Sequence, residues 1–186
     1  ICIERLALLA APPSGAWLAL GFIPNPFEDS RVVILDQDLQ QMRSFELDFK
    51  PIDLCASNER LYVSSESPAQ VTCFDAGDGF ARIARSEHEP QFSGYYDMTL
   101  WKGMLFVSGY IGADGHDAVV VLDALTLAKR RQFGAGHIED PRGMAVVRDE
   151  LFICDYEMYC LQIFSFEGVL LRAIHITHQP FGIVYH

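Results

Sequence analysis

Pro141-Arg-Gly-Met-Ala-Val-Val-Arg-Asp-Glu-Leu-Phe-Ile-Cys-Asp-Tyr-Glu-Met-Tyr-Cys-Leu-Gln-Ile-Phe-Ser-Phe-Glu-Gly168 reads as three short strands joined by tight turns. Its apolar positions fall in the runs 143–147, 151–154 and 160–164. β-Branched and aromatic residues favour a pleated, half-buried surface, and the Asp, Glu and Gly between the runs favour turns. A further run at 169–176 completes a unit of four strands.

Earlier parts of the chain repeat this pattern. Leu54, Met98, Met144 and Ile183 hold the same place in successive units, 44, 46 and 39 residues apart, and Leu61, Leu105 and Leu151 each follow their anchor by seven positions. The third strands end in Asp36, Asp75, Asp123 and Ser165. Strands are expected at 4–11, 17–22, 32–36 and 41–47; at 51–56, 60–64, 70–74 and 80–86; at 96–100, 104–108, 118–122 and 127–133; and in the fourth unit as above. A period of about 40–45 residues with four strands per unit is the signature of a β-propeller blade. The expected fold is therefore all-β, a single domain over residues 1–186 with blades at 1–48, 49–88, 94–136 and 141–178, and 180–186 as the first strand of a further blade. No window keeps a 3.6-residue apolar period long enough for a stable helix.

Half of the 186 residues are hydrophobic and 21% are charged, a balance that suits an ordered globular unit rather than a disordered chain. The net charge of -11 opposes a phosphate backbone, so nucleic acid is a poor partner. The basic run Lys129-Arg130-Arg131 reads as a solvated strand face. Five cysteines, Cys2, Cys55, Cys73, Cys154 and Cys160, sit in apolar runs and read as buried reduced thiols. Cys154 and Cys160 flank a turn but lack the second close pair that a four-ligand metal site needs. Neither Asn25 nor Asn58 opens an N-x-[ST] acceptor, and with the thiols this points to an intracellular, cytoplasmic setting. No segment reaches the roughly 18 apolar residues that span a bilayer, so no membrane partner is expected. The chain begins at Ile1 rather than Met and is read as a piece of something longer.

The fourth unit carries a specific resemblance. Pro141-x-Gly143-Met144-Ala145-Val146, then 151–155 ending in Asp155, then Gln162-Ile163-Phe164 and Gly168 resemble an NHL repeat, of the form P-x-G-[IV]-A-V, [IV]-x-V-[AS]-D, R-[IV]-Q-[VK]-F and G. Pro180-Phe-Gly-Ile-Val184 resembles the opening of the next repeat. The Arg that usually precedes the third-strand Ile/Val-Gln and the Asn that usually follows the Asp are absent. Propellers of this family usually close with six blades, so the resemblance implies an incomplete arc of a six-bladed ring. Its remaining blades would come from missing sequence, or another chain would cover the open edge, since unpaired edges invite association.

In such a propeller the first strand of each blade lines the central channel. The loops leading into first strands share a face with the loops between second and third strands. On that face lie Phe27 in the first blade, Tyr110 in the third, and Tyr156, Met158 and Tyr159 in the fourth, with Arg142 at the channel mouth. Exposed aromatics and Met are what interface cores use. These residues are the expected contacts of a non-catalytic propeller that binds a protein or peptide.

Two chemical alternatives attach to the same face. His88, His137 and His178 precede first strands and are candidate zinc ligands, although their differing offsets, 10, 7 and 5 residues from the next anchor, need not let them converge. The zinc-dependent amidation lyases that resemble NHL proteins place a His just before the first-strand Gly, where this chain has Arg142 and Phe181. Calcium-dependent lactonases of related form use acidic channel ligands, and Asp53 and Asp97 occupy such positions. The corresponding residues in the next two units are Gly143 and Gly182, which favours hydrogen-bonded channel carboxylates and no resident cofactor. RNA binding, known for some family members, is a further alternative that the acidic balance opposes. No G-x-S-x-G elbow, H-E-x-x-H pair, P-loop or G-x-G-x-x-G is present.

Overall fold

The computed structural model describes the chain apart from residues 1–4, 11–15, 23–29, 37, 39, 58, 78, 112–115 and 184–186, with 5–10 and 16–22 described by their backbone. Phe27 and Cys2 lie outside the described residues. Four antiparallel sheets follow one another along the chain. The first holds β1 (Arg5–Ala10), β2 (Ala16–Phe22), β3 (Arg31–Leu35) and β4 (Gln41–Glu46). The second holds β5 (Pro51–Ala56), β6 (Arg60–Ser65), β7 (Gln70–Asp75) and β8 (Arg82–Arg85). The third holds β9 (Gly94–Trp101), β10 (Met104–Tyr110), β11 (Asp117–Asp123) and β12 (Lys129–Ile138). The fourth holds β13 (Pro141–Val147), β14 (Glu150–Asp155), β15 (Cys160–Phe164) and β16 (Leu170–His175).

Within each sheet the strands pair in sequence order. The first strands β1, β5, β9 and β13 stand side by side around a common axis, whereas the last strands β4, β8 and β16 are exposed along most of their length. That arrangement is a four-blade arc of a β-propeller.

The cores lie between the blades. Leu61 and Val63 of β6 pack toward β3 of the first sheet, while Tyr62 between them packs toward the third. In the same way Leu105 and Val107 of β10 face the second sheet, and Phe106 faces Leu151, Ile153 and Phe164 of the fourth. Side chains alternate across a strand, so a middle strand buried on both faces must be apolar at every position. β11, with Ala118-Val-Val-Val-Leu122 fully buried, shows this directly.

Tight turns complete each blade. Lys102-Gly103 and Arg148-Asp149 are two-residue hairpin turns with positive φ at both positions, the geometry whose twist matches the flanking strands. The repeated acid at the end of the third strand caps the next turn. Asp36 Oδ1 accepts the N–H groups of Asp38 and Gln40, Asp75 Oδ1 that of Gly77, and Asp123 Oδ1 those of Leu125 and Thr126.

Phe80 and Leu127, expected to open the fourth strands, instead sit in these turns with φ of 60° and 59°. Their side chains are buried in the inter-blade cores, so an apolar residue there marks a turn plug rather than a strand. Residues 180–183, expected to begin a further first strand, form no strand, and 184–186 lie outside the described residues. Their backbone nevertheless runs against β13. A Cβ on Gly143 would come within 2.8 Å of Gly182 Cα, so only glycine permits that approach.

Candidate functional site

At their channel-mouth ends the first strands of the second, third and fourth blades share one irregularity. The ladder slips between Pro51 and Leu54 of β5, opposite Asp97 on β9, and between Pro141 and Gly143 of β13. A bulge re-aims the side chains it displaces, and two sets of residues at these bulges acquire distinct roles.

The first set faces inward. Asp53 Oδ2 accepts the backbone N–H of Met98 at 2.8 Å, and Asp97 Oδ2 accepts that of Met144 at 2.6 Å. Each carboxylate thus clips its own blade to the next. Their own N–H groups donate to a second-strand serine, Asp53 to Ser64 Oγ at 3.0 Å and Asp97 to Ser108 Oγ at 2.9 Å. In the fourth blade the corresponding pair is Gly143 and Cys154. The structure therefore gives Asp53 and Asp97 a structural task as hydrogen-bonded channel carboxylates.

The second set faces the mouth. Tyr96, Arg142 and Phe181 hold equivalent places in successive units, and Arg142 lies between the other two. Its guanidinium carbon is 5.7 Å from the Tyr96 ring centre, 5.9 Å from Phe181 and 5.6 Å from Tyr156 of the β14–β15 turn. A cation over three ring faces is held electrostatically by the ring quadrupoles. Asp140 fixes the remaining edge: Arg142 Nη2 donates to Oδ2 at 2.9 Å, and Nε lies 2.8 Å from Oδ1 without a hydrogen-bonding angle. Tyr110 meets Tyr96 edge-on at 5.9 Å, and Phe181 meets Tyr156 edge-on at 6.2 Å.

Of these groups Tyr96, Tyr110, Asp140 and Arg142 border a cleft of about 670 Å³ between the third and fourth blades. Beyond Tyr96, Tyr110 and Arg142, its wall includes the acids Asp117, Glu139, Asp140 and Glu157. Asp117 is only 2% exposed. Its Oδ1 accepts the Ile111 N–H at 3.0 Å, while Oδ2 is buried without a donor. Burial pushes its carboxyl up to about 6, the Asp140 and Asp155 charges add to the rise, and the Ile111 N–H and Arg142 oppose it.

Asp155 beside the cleft is by contrast fully engaged. It accepts the N–H groups of Glu139, Asp140 and Met158 and the side-chain amide of Gln162, which fixes the loop that presents Arg142. Burial still raises its carboxyl above the ordinary range.

The structure thus brings Tyr110, Arg142 and Tyr156 together. Tyr156 touches Arg142 from outside the cleft wall, and Met158 and Tyr159, exposed at the same turn, also stand outside it. Sequence reasoning missed Tyr96, Asp117 and Asp140. Tyr96 carried a signal, since it stands at the position of Arg142 one unit earlier. His88, His137 and His178 are exposed and far apart in role: the His137 carbonyl accepts the Gln162 side-chain amide, and His178 Nδ1 is 2.9 Å from Thr177 Oγ1. Among the described residues no group of three or more His, Cys, Asp or Glu side chains is placed to hold a metal ion. Cys55, Cys73, Cys154 and Cys160 are free thiols, and burial pushes Cys55 up to about 12 and Cys154 up to about 11. Among the described residues no helix is long and apolar enough to cross a membrane.

No family model matches the chain, and comparison with curated proteins finds no similar sequence. Solved propeller structures do match. Sqt1 of Saccharomyces cerevisiae superposes with a TM-score of 0.69 at 12% identity, over 88% of this chain and 45% of that one. A candidate 6-phosphogluconolactonase of Bacteroides fragilis gives 0.67 at 16% identity, over 95% and 56%. BamB of Moraxella catarrhalis gives 0.63 at 16% identity, over 95% and 52%. The chain therefore spans about half the length of the propellers it matches, and at these identities the likeness is one of fold.

Proposed function

We propose that the protein is a non-catalytic propeller of the NHL type that binds a protein or peptide across the mouth of the channel, at the cleft between its third and fourth blades. The observation that carries the reading is Arg142 held among Tyr96, Tyr156 and Phe181 beside an open cleft. A ring of aromatic surface fixed around one ordered cation gives a partner rigid contact area at small entropic cost, the character of an interface hot spot. Tyr110 extends that surface, and Met158 and Tyr159 offer adaptable contacts at its edge. The reading needs no cofactor. Asp53 and Asp97 are committed to backbone N–H groups of the neighbouring blades, and a wall with four carboxylates repels a phosphate backbone.

The same reading places the protein inside the cell as an interaction scaffold with six blades. Further blades, or another chain, would cover the face of the fourth sheet turned away from the third. There Phe152 and Leu161 are half-buried and Ile174 is 47% exposed.

Selection of a phage-displayed random dodecapeptide library on the protein tests the proposal. Enriched peptides should lose affinity by about tenfold or more in Arg142→Ala/Tyr156→Ala, the loss of two hot-spot side chains. Peptides that bind this variant as tightly as the parent would show that the wrong face was assigned.

A further inference from the structure

The cleft has a sign as well as a shape. Among the described residues of its wall, Asp117, Glu139, Asp140 and Glu157 are carboxylic acids, and Arg142 is the one guanidinium, with His116 beside them. Arg142 is neutralised by Asp140. Among the described residues no Lys, Arg or His forms an ion pair with Asp117, Glu139 or Glu157. Among the described residues, three carboxylates around one concavity therefore have no ion-pair partner.

Acids on a rim are ordinarily solvated, and Glu139 and Glu157 are exposed. Asp117 is different. It is set in the cleft wall at 2% exposure, and Oδ2 is shut off from solvent with no hydrogen-bond donor. A buried oxygen without a donor costs on the order of 1–3 kcal/mol, and more when charged. A donor that reaches this oxygen from the cleft would remove that cost.

We infer that the occupant of the cleft is a basic peptide segment, one of whose lysine or arginine side chains enters the cleft and, with a shift of the wall that uncovers it, donates to Asp117 Oδ2 while Glu139 and Glu157 hold the flanking positive charge. This rests on the peptide-binding reading above and names the chemistry of the partner. A charged donor meets a charged acceptor in a water-poor site, where such hydrogen bonds are strongest. Tyr96 and Tyr110 supply apolar wall for the aliphatic stem of the entering side chain. An acidic or neutral segment would leave Asp117 unpaired or meet like charge, which is how a site rejects wrong partners.

The library selection above tests this through the charge of its products. Enriched peptides should share a Lys or Arg, bind more weakly as salt rises, and lose affinity at least about tenfold in Asp117→Asn, as loss of a charged hydrogen bond implies. Asn keeps the oxygen that receives the Ile111 N–H, and thermal melting checks that the variant is folded. Should it melt early, Glu157→Lys, on the exposed lip, replaces it and should weaken the same peptides at least about fivefold, by like charge. Enriched peptides without a shared basic residue, or ones indifferent to the folded variant, overturn the inference. If such peptides are still lost in Arg142→Ala/Tyr156→Ala, the binding face stands and only the cationic occupant fails. If no peptide is enriched, both readings fail.

Discussion

Asp53 and Asp97 show how far a single residue can be read from sequence. Their channel position and hydrogen-bonded state follow from counting units. The identity of the donor does not, because each N–H comes from a strand 45 or 47 residues further on. Asp97→Ala should cost about 2–3 kcal/mol in urea denaturation, since the buried Met144 N–H loses its acceptor, and Asp97→Asn should recover part of that loss. Asp117 was not legible at all: nothing in the local sequence shows that an acid at a strand start will be sealed over. It titrates at about 6 in the folded protein against 3.8 unperturbed. The folded state therefore holds the extra proton between those values, and the Asp117 contribution to stability falls as pH rises from about 4 to about 6. Relative to the parent, Asp117→Asn should gain on the order of 2 kcal/mol between pH 4 and pH 7, as a shift of about two units implies. A stability difference that is flat across this window would contradict the burial assigned to Asp117.

At the scale of the element, strands were legible and turns only partly so. Period-two alternation and the doubly apolar middle strands identified the blades because both faces of each middle strand are packed. Phe80 and Leu127 misled for the same reason. Their burial is real, but it comes from plugging a turn with positive φ, and hydrophobicity alone does not separate the two cases. The turns carry correctable strain. Arg148 has a φ of 49°, where Asn is the favoured hairpin residue, so Arg148→Asn should raise stability by about 0.5 kcal/mol in thermal unfolding. Gly168→Ala should do the opposite. Gly168 has a φ of 89°, and a Cβ there would meet the Phe133 ring at 2.5 Å. A loss of about 2 kcal/mol or more is expected from strain and overpacking together.

The whole molecule is organised by what lies between blades. Each core is built from two neighbouring sheets, and Asp53, Asp97, Tyr62 and Arg60 add polar ties across the same seams, the last two to the carbonyls of Ala124 and Leu125. Such an array couples nearest neighbours. Phe106→Ala, at the seam of the third and fourth blades, should cost about 3–5 kcal/mol and expose the fourth blade to early proteolysis before the second. The face proposed for binding was legible as a set of loops, because loop order follows from the blade repeat. Its cleft was not, because the wall joins residues from 96 to 157 that meet only when two blades are set at their angle. The most direct test of the face is hydrogen exchange with and without a library-selected peptide. Slowed amides at 110–111, 138–140, 142 and 156–158 are the predicted result; slowing confined to the opposite concavity around Arg60 and Leu125 would contradict it.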